Sequence, residues 1–136
     1  MPRPRVLLAE DNALVATQIK ALLDPTFDVV GVVGSGEDLV REFERLGPEA
    51  IVTDIVMPGG GGLAAVRKIR AAHAGAAVVL LTVLDEPVMI RHGLSMGAQG
   101  YVVKEDAGDE LVPAVQAALE GREFISAAGR RSLSYS

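Results

Sequence analysis

The sequence predicts an α/β domain whose parallel sheet is covered by helices on both faces. Three observations carry this reading. Five short apolar runs bounded by turn residues alternate with five segments whose apolar residues recur at helical spacing. Such alternation implies parallel strands joined by crossover helices, and right-handed crossovers restrict the topology further. Residues of the apolar class make up 49% of the chain, which fits a sheet buried on both sides. The 136 residues suit one domain, and the β/α units, of about 25 residues each, are unequal and share no motif, so a solenoid is excluded.

Each element has its own signal. Arg5 to Ala9 is an apolar run ending in Glu10-Asp11-Asn12, read as the first strand. Asn12 is placed to cap a helix, and Val15, Ile19, Leu22 and Leu23 supply its apolar stripe until Pro25. Phe27 to Val33 is valine-rich and reads as the second strand. Ser35 with Asp38 three residues on resembles a capping signature, followed by Leu39, Phe43 and Leu46, with Gly47-Pro48 as the stop. Ala50 onward is the third strand, ending at Asp54, with Pro58 and the glycines Gly59 to Gly62 just beyond. Leu63, Val66 and Ile69 mark the third helix, and Ala76 to Leu81 the fourth strand, ending in Thr82. Asp85-Glu86-Pro87 opens the fourth helix. Tyr101 to Val103 is the fifth strand, ending in Lys104. Leu111, Val115, Ala118 and Leu119 mark the fifth helix, which tolerates Pro113 best if it starts near Asp109. Residues 122–136 show no sustained pattern and read as a tail or linker after a domain spanning 1–121.

Composition removes several function classes. Cysteine is absent, which excludes a disulfide framework, a thiol nucleophile and a thiolate metal site. The net charge is −5, from 13 basic and 18 acidic residues, unfavourable for a general nucleic-acid binder. No apolar run approaches the ~20 residues needed to span a bilayer, and the charged start is not followed by a signal-peptide pattern. The expectation is a cytoplasmic domain with no membrane partner.

In a parallel sheet the strand ends share one edge, where ligands bind in such folds. There the sequence places Glu10 and Asp11, Asp54, Thr82 and Lys104. If the first and third strands are neighbours, three carboxylates converge, and a hard divalent cation such as Mg²⁺ would relieve their repulsion. Lys104 offers an ammonium and Thr82 a hydroxyl for phosphoryl oxygens, and Asp54 is a carboxylate able to form an acyl phosphate. Each residue alone also has a plain structural reading. Asp54 could cap the glycine loop, Glu10 and Asp11 could simply start a helix, and Tyr101 could be core packing. The glycine run lacks the lysine and hydroxyl residue that end a nucleotide-binding P-loop.

Taken together, Glu10-Asp11, Asp54 with Met57-Pro58, Thr82 and Lys104 closely resemble the CheY-like receiver domain of two-component response regulators. The resemblance covers residues 5 to about 121. It implies a flavodoxin-like (βα)5 fold, a doubly wound five-stranded sheet of order 2-1-3-4-5. It implies Asp54 as phosphoacceptor from a sensor histidine kinase, with Mg²⁺ bound by Asp11, Asp54 and the backbone carbonyl of Val56, and by Glu10 mainly through water. Thr82 and Lys104 would grip the phosphoryl oxygens, and Tyr101 would be an aromatic switch whose ring moves inward with Thr82. Output would leave through the face of the fourth helix, fifth strand and fifth helix. The chemistry would be the domain's own phosphorylation and dephosphorylation, so the protein is not expected to be an enzyme in the ordinary sense. Two features depart from the commonest pattern, Glu10 in place of aspartate and the unbroken glycine run, whose entropy suggests a mobile loop.

The fifth-helix stretch Asp109 to Val115, closing with Leu119-Glu120-Gly121-Arg122, resembles receivers of NarL/LuxR-type transcription factors. That implies homodimerisation on phosphorylation and DNA contact only through a helix-turn-helix domain absent from this sequence. A stand-alone receiver acting by protein contact is the alternative. A metal-dependent phosphohydrolase commonly needs an acid two residues after its nucleophile, where this chain has Val56. A flavin carrier would need a phosphate-binding loop where Glu10-Asp11 stand.

Overall fold

The computed structural model describes residues 2–135. β1 (Arg5–Ala9), α1 (Ala13–Leu23), β2 (Asp28–Val33), α2 (Gly36–Leu46), β3 (Ala50–Thr53), α3 (Gly61–Ala72), β4 (Ala77–Thr82), α4 (Pro87–Ser95), β5 (Gly100–Val103) and α5 (Ala107–Leu119) follow in the expected alternation. Local chemistry sets the boundaries. The Asn12 side chain accepts from the Val15 N–H at 3.1 Å, and Ser35 Oγ from the Asp38 N–H at 3.1 Å. Each satisfies a first-turn donor that the helix itself leaves without a partner. Gly47 closes α2 at φ 55°, ψ 51°, a left-handed cap that glycine takes without a Cβ clash. Pro87 occupies the first turn of α4, where its missing N–H costs nothing.

All neighbouring strands are parallel, in the order β2-β1-β3-β4-β5-β6. The first five reproduce the expected 2-1-3-4-5. The sixth corrects the five-stranded expectation. Within residues 122–136, read from the sequence as tail or linker, β6 (Phe124–Ile125) adds to the edge of β5, and α6 (Ala127–Ser134) follows it. A two-residue strand and an eight-residue helix are too short to display a period.

Side chains alternate across the sheet, so Leu7 joins one core layer and Val6 and Leu8 the other. The first layer, which includes Leu39, Phe43, Val66, Ile69, Ile90 and Ala128, lies under α2, α3, α4 and α6. The second lies under α1 and α5, through Ile19, Leu23, Leu111 and Val115. β3, β4 and β5 are buried along their whole length, as strands covered on both faces must be.

The start of α5 also differs from expectation. A 3-10 turn (Lys104–Asp106) leads into a helix that begins at Ala107, so Pro113 falls in its interior. The proline removes a donor to the Asp109 carbonyl. Both residues are exposed, and water can take the lost hydrogen bond. Among the described residues, no helix is long and apolar enough to cross a membrane.

Candidate functional site

The sheet brings the expected residues to one edge. β1 and β3 are in register with Ala9 opposite Thr53, so Glu10 and Asp54 emerge side by side. The Asp54 N–H donates to the Ala9 carbonyl at 3.1 Å, and the Glu10 N–H to the Val33 carbonyl at 2.9 Å, which extends the ladders to these residues. On the other side Thr82 is opposite Val103, and Lys104 follows directly.

Lys104 is the centre of the cluster. Its Nζ donates to Asp54 Oδ2 at 2.8 Å and to Glu10 Oε1 at 2.5 Å. Glu10 is only 4% exposed and Asp54 9%. Two carboxylates so buried need a shared cation to offset their desolvation and repulsion. Burial alone would lower the basicity of Lys104, but the hydrogen bonds it donates to Asp54 and Glu10, with their negative charges, outweigh it and raise the ammonium above the ordinary lysine range. The other oxygens are fixed by backbone donors. Asp54 Oδ1 accepts from the Ile55 N–H at 2.7 Å and Glu10 Oε2 from the Asn12 N–H at 3.2 Å.

Thr82 and Tyr101 are joined in a way the sequence did not reveal. The Thr82 hydroxyl accepts from the Leu84 N–H at 3.3 Å, and the Tyr101 hydroxyl donates to the Leu84 carbonyl at 2.6 Å. One peptide segment therefore senses both side chains. The Tyr101 ring is fully buried. Burial first, then the charges of Glu86, Asp85 and Asp54, push its hydroxyl well above the usual tyrosine range, so it stays a neutral donor.

The convergence of three carboxylates is not what the structure shows. Among the described residues, no group of three or more histidine, cysteine, aspartate or glutamate side chains is placed to hold a metal ion. Lys104 stands between Glu10 and Asp54, and Asp11 is exposed, lining an open hollow with Glu10, Thr17 and Lys20. The donor chemistry is still that of a hard-cation site, all oxygen and anionic. Val56 and Val83 form an apolar rim, 66% and 70% exposed.

The glycine run has a role beyond loop entropy. Gly59, Gly60 and Gly61 take φ values of 70°, 90° and 79°, which side chains rarely adopt. The Gly36 N–H donates to the Pro58 carbonyl at 3.0 Å and the Gly62 N–H to the Ile55 carbonyl at 2.9 Å. Gly62 itself is pressed against the Asp54 backbone. His73, by contrast, braces α3 to α2 through Glu44 at 2.7 Å and Phe43 at 5.1 Å between ring centroids. The basic group on α3 is partly structural too, since Arg70 donates to the Ala76 carbonyl at 2.7 Å.

The chain is similar to known proteins in sequence and in fold. The family described as "Response regulator receiver domain" matches residues 6–116. The response regulator GacA of Pseudomonas viridiflava is 36% identical over 124 residues, covering 90% of this chain and 58% of that protein. The chain thus spans less than two thirds of the length of that relative. A LuxR-family two-component response regulator from Aurantimonas sp. SI85-9A1 superposes with a TM-score of 0.93 at 27% identity, covering 98% of this chain and 96% of the other. The RcsB response regulator of Salmonella typhimurium, whose structure concerns DNA interaction, superposes at 0.90 with 25% identity, covering 98% of this chain and 68% of that one. RcsB is also described as dimers bound to DNA. The family model covers most of the sequence, and the chain belongs to the family of response regulator receiver domains.

Proposed function

We propose that Asp54 is the phosphoacceptor of this receiver and takes its phosphoryl group from a phosphohistidine of a sensor histidine kinase. The carrying observation is the Lys104 ammonium held on Asp54 Oδ2 at 2.8 Å in a nearly closed site. A carboxylate oxygen of Asp54 attacks phosphorus, the N–P bond to the imidazole breaks, and its electron pair leaves with the nitrogen. The product is an acyl phosphate. Lys104 moves onto the added phosphoryl oxygens, and the Thr82 hydroxyl is a second partner for them. Mg²⁺, when bound, would neutralise those oxygens, with exposed Asp11, Asp54 and the Val56 carbonyl as direct oxygen donors and Glu10 acting through water. The domain's chemistry is its own phosphorylation and dephosphorylation, and we read it as a cytoplasmic signalling acceptor and not a turnover enzyme. Its output is transcription control through homodimerisation and a helix-turn-helix domain outside this sequence, a reading supported by the likeness to RcsB.

Incubation with acetyl phosphate and Mg²⁺, followed by intact-mass measurement, tests the acceptor. The expected result is a gain of one phosphoryl group that disappears in Asp54→Ala. Unchanged mass with every small donor overturns the proposal.

The exposed Val56 side chain and partly buried Leu84 flank the site with apolar groups. Neither can orient an attacking water, so the acyl phosphate is expected to be long-lived. Val56→Asn should shorten its half-life several-fold, because a positioned polar group assists proton transfer from water. Equal rates of label loss from the two phosphorylated proteins would refute the assignment.

A further inference from the structure

The C-terminal strand and helix are fastened to the segment that carries Lys104. β6 pairs with β5, Gly100 opposite Phe124 and Tyr101 opposite Ile125. Ser126 is fully buried and bonded to β5 twice. Its N–H donates to the Tyr101 carbonyl at 2.9 Å, and its hydroxyl accepts from the Val103 N–H at 3.0 Å. α6 then begins on two carboxylates that follow Lys104 in the chain. The Ala127 N–H donates to Glu110 Oε2 at 2.9 Å and the Ala128 N–H to Asp106 Oδ2 at 2.9 Å. Arg130 adds an ion pair with Glu110 at 3.7 Å. First-turn N–H groups lack partners inside their own helix and favour anions, so Asp106 and Glu110 cap α6 from a distance in sequence. Ala128 and Gly129 are buried. A Cβ on Gly129 would stand 2.8 Å from Ile125 Cγ2 and 3.6 Å from Ile90 Cδ1, so α6 closes tightly over α4.

We infer that α6 is a latch over α4 and β5, and that phosphorylation of Asp54 loosens it through the Lys104 turn; this rests on Asp54 being the acceptor. The two sets of anchors belong to different parts of the chain. The Ser126 bonds go to the β5 backbone, which is fixed in the sheet between β4 and β6. The Asp106 and Glu110 bonds go to the 3-10 turn and first turns of α5, which start at Lys104. In the structure the Lys104 ammonium is committed to Asp54 and Glu10. A phosphoryl group on Asp54 takes that ammonium as its own partner. Any resulting shift of the turn carries Asp106 with it and leaves Ser126 in place. Hydrogen bonds weaken steeply away from good geometry, so the α6 caps yield before the β6 pairing does. Ile90 of α4 is then uncovered.

Residue-resolved amide exchange by NMR, on the protein with and without acetyl phosphate and Mg²⁺, tests the latch. The Ala127 and Ala128 amides should exchange roughly tenfold faster after phosphorylation, the effect of losing one charge-assisted hydrogen bond, while the Ser126 amide keeps its protection. Asp54→Ala should show no change on adding the donor. Asp106→Ala should show the faster Ala128 exchange without any donor, with β3 and β4 amides as slow as in the parent protein. A verified gain of one phosphoryl group with unchanged Ala127 and Ala128 exchange overturns the latch and leaves the acceptor reading standing. Acceleration spread equally over all elements overturns it too, since that is global destabilisation. No gain in mass removes the acceptor reading, and the latch falls with it.

Discussion

Gly62→Ala is expected to destabilise the domain by about 3 kcal/mol, the upper range for forcing one extra carbon into a packed site, and to lower the thermal midpoint by roughly 10 °C for a chain of this size. The added Cβ would lie 1.8 Å from the Asp54 carbonyl oxygen, 2.9 Å from its carbonyl carbon and 3.1 Å from Thr53 Oγ1. The two nearest of these atoms are backbone and cannot swing aside. The Thr53 hydroxyl also donates to that same Asp54 carbonyl at 2.9 Å, so the peptide is held in place by a further bond. Relief requires α3 to back away or Asp54 to move, and Asp54 cannot move without disturbing its contact with Lys104. Phosphoryl uptake should therefore fall together with stability. Gly75→Ala is the matching control, because nothing stands within 4 Å of its added carbon. That variant should be neutral or slightly stabilised by the smaller entropy of its unfolded chain. Thermal unfolding of the two variants side by side decides the matter, and equal midpoints would refute the packing argument.

Much of this site was legible because its signals are local. Asn12, Ser35, Gly47 and Pro87 announce helix ends through chemistry confined to three or four residues. The polar residue closing each apolar run marks the strand end, and parallel topology then places Glu10, Asp54, Thr82 and Lys104 on one edge. What the sequence hid depends on groups distant in the chain or on the backbone. The Leu84 peptide links Thr82 to Tyr101 through its N–H and carbonyl, which every residue type possesses. The α6 caps, Asp106 and Glu110, lie 22 and 17 residues from their donors, so no capping spacing betrays them. In the sequence the glycine run signals only loop entropy, because composition reveals freedom and conceals contact. Pro113 suggested a later start for α5, yet an exposed proline is tolerated inside a helix when water reaches the carbonyl it leaves unpaired. The sequence places the carboxylates on one edge but does not show that Lys104 bridges Glu10 and Asp54, because that contact joins residues 94 and 50 positions apart.

Lys104→Met separates the two duties of this lysine. The side chain is about as long and keeps its apolar stem, so packing is largely preserved while the charge is lost. Glu10 and Asp54 would then face each other with little solvent and no cation, a situation that costs about 3 kcal/mol when one partner of a buried ion pair is removed. The partial exposure of the ammonium keeps the effect at that lower end of the range. Phosphoryl uptake from acetyl phosphate should also be lost, because the added oxygens have no ammonium to receive them. In a Glu10→Gln background the same substitution meets one negative charge instead of two. Most of the stability should return there, since the like-charge term is gone, and uptake should remain absent, since the phosphoryl group still lacks its cation. Chemical denaturation and intact mass on the four proteins of this cycle read the two duties independently. An equal loss of stability in both backgrounds would mean that the lysine acts through its stem and not through the charge it places between Glu10 and Asp54.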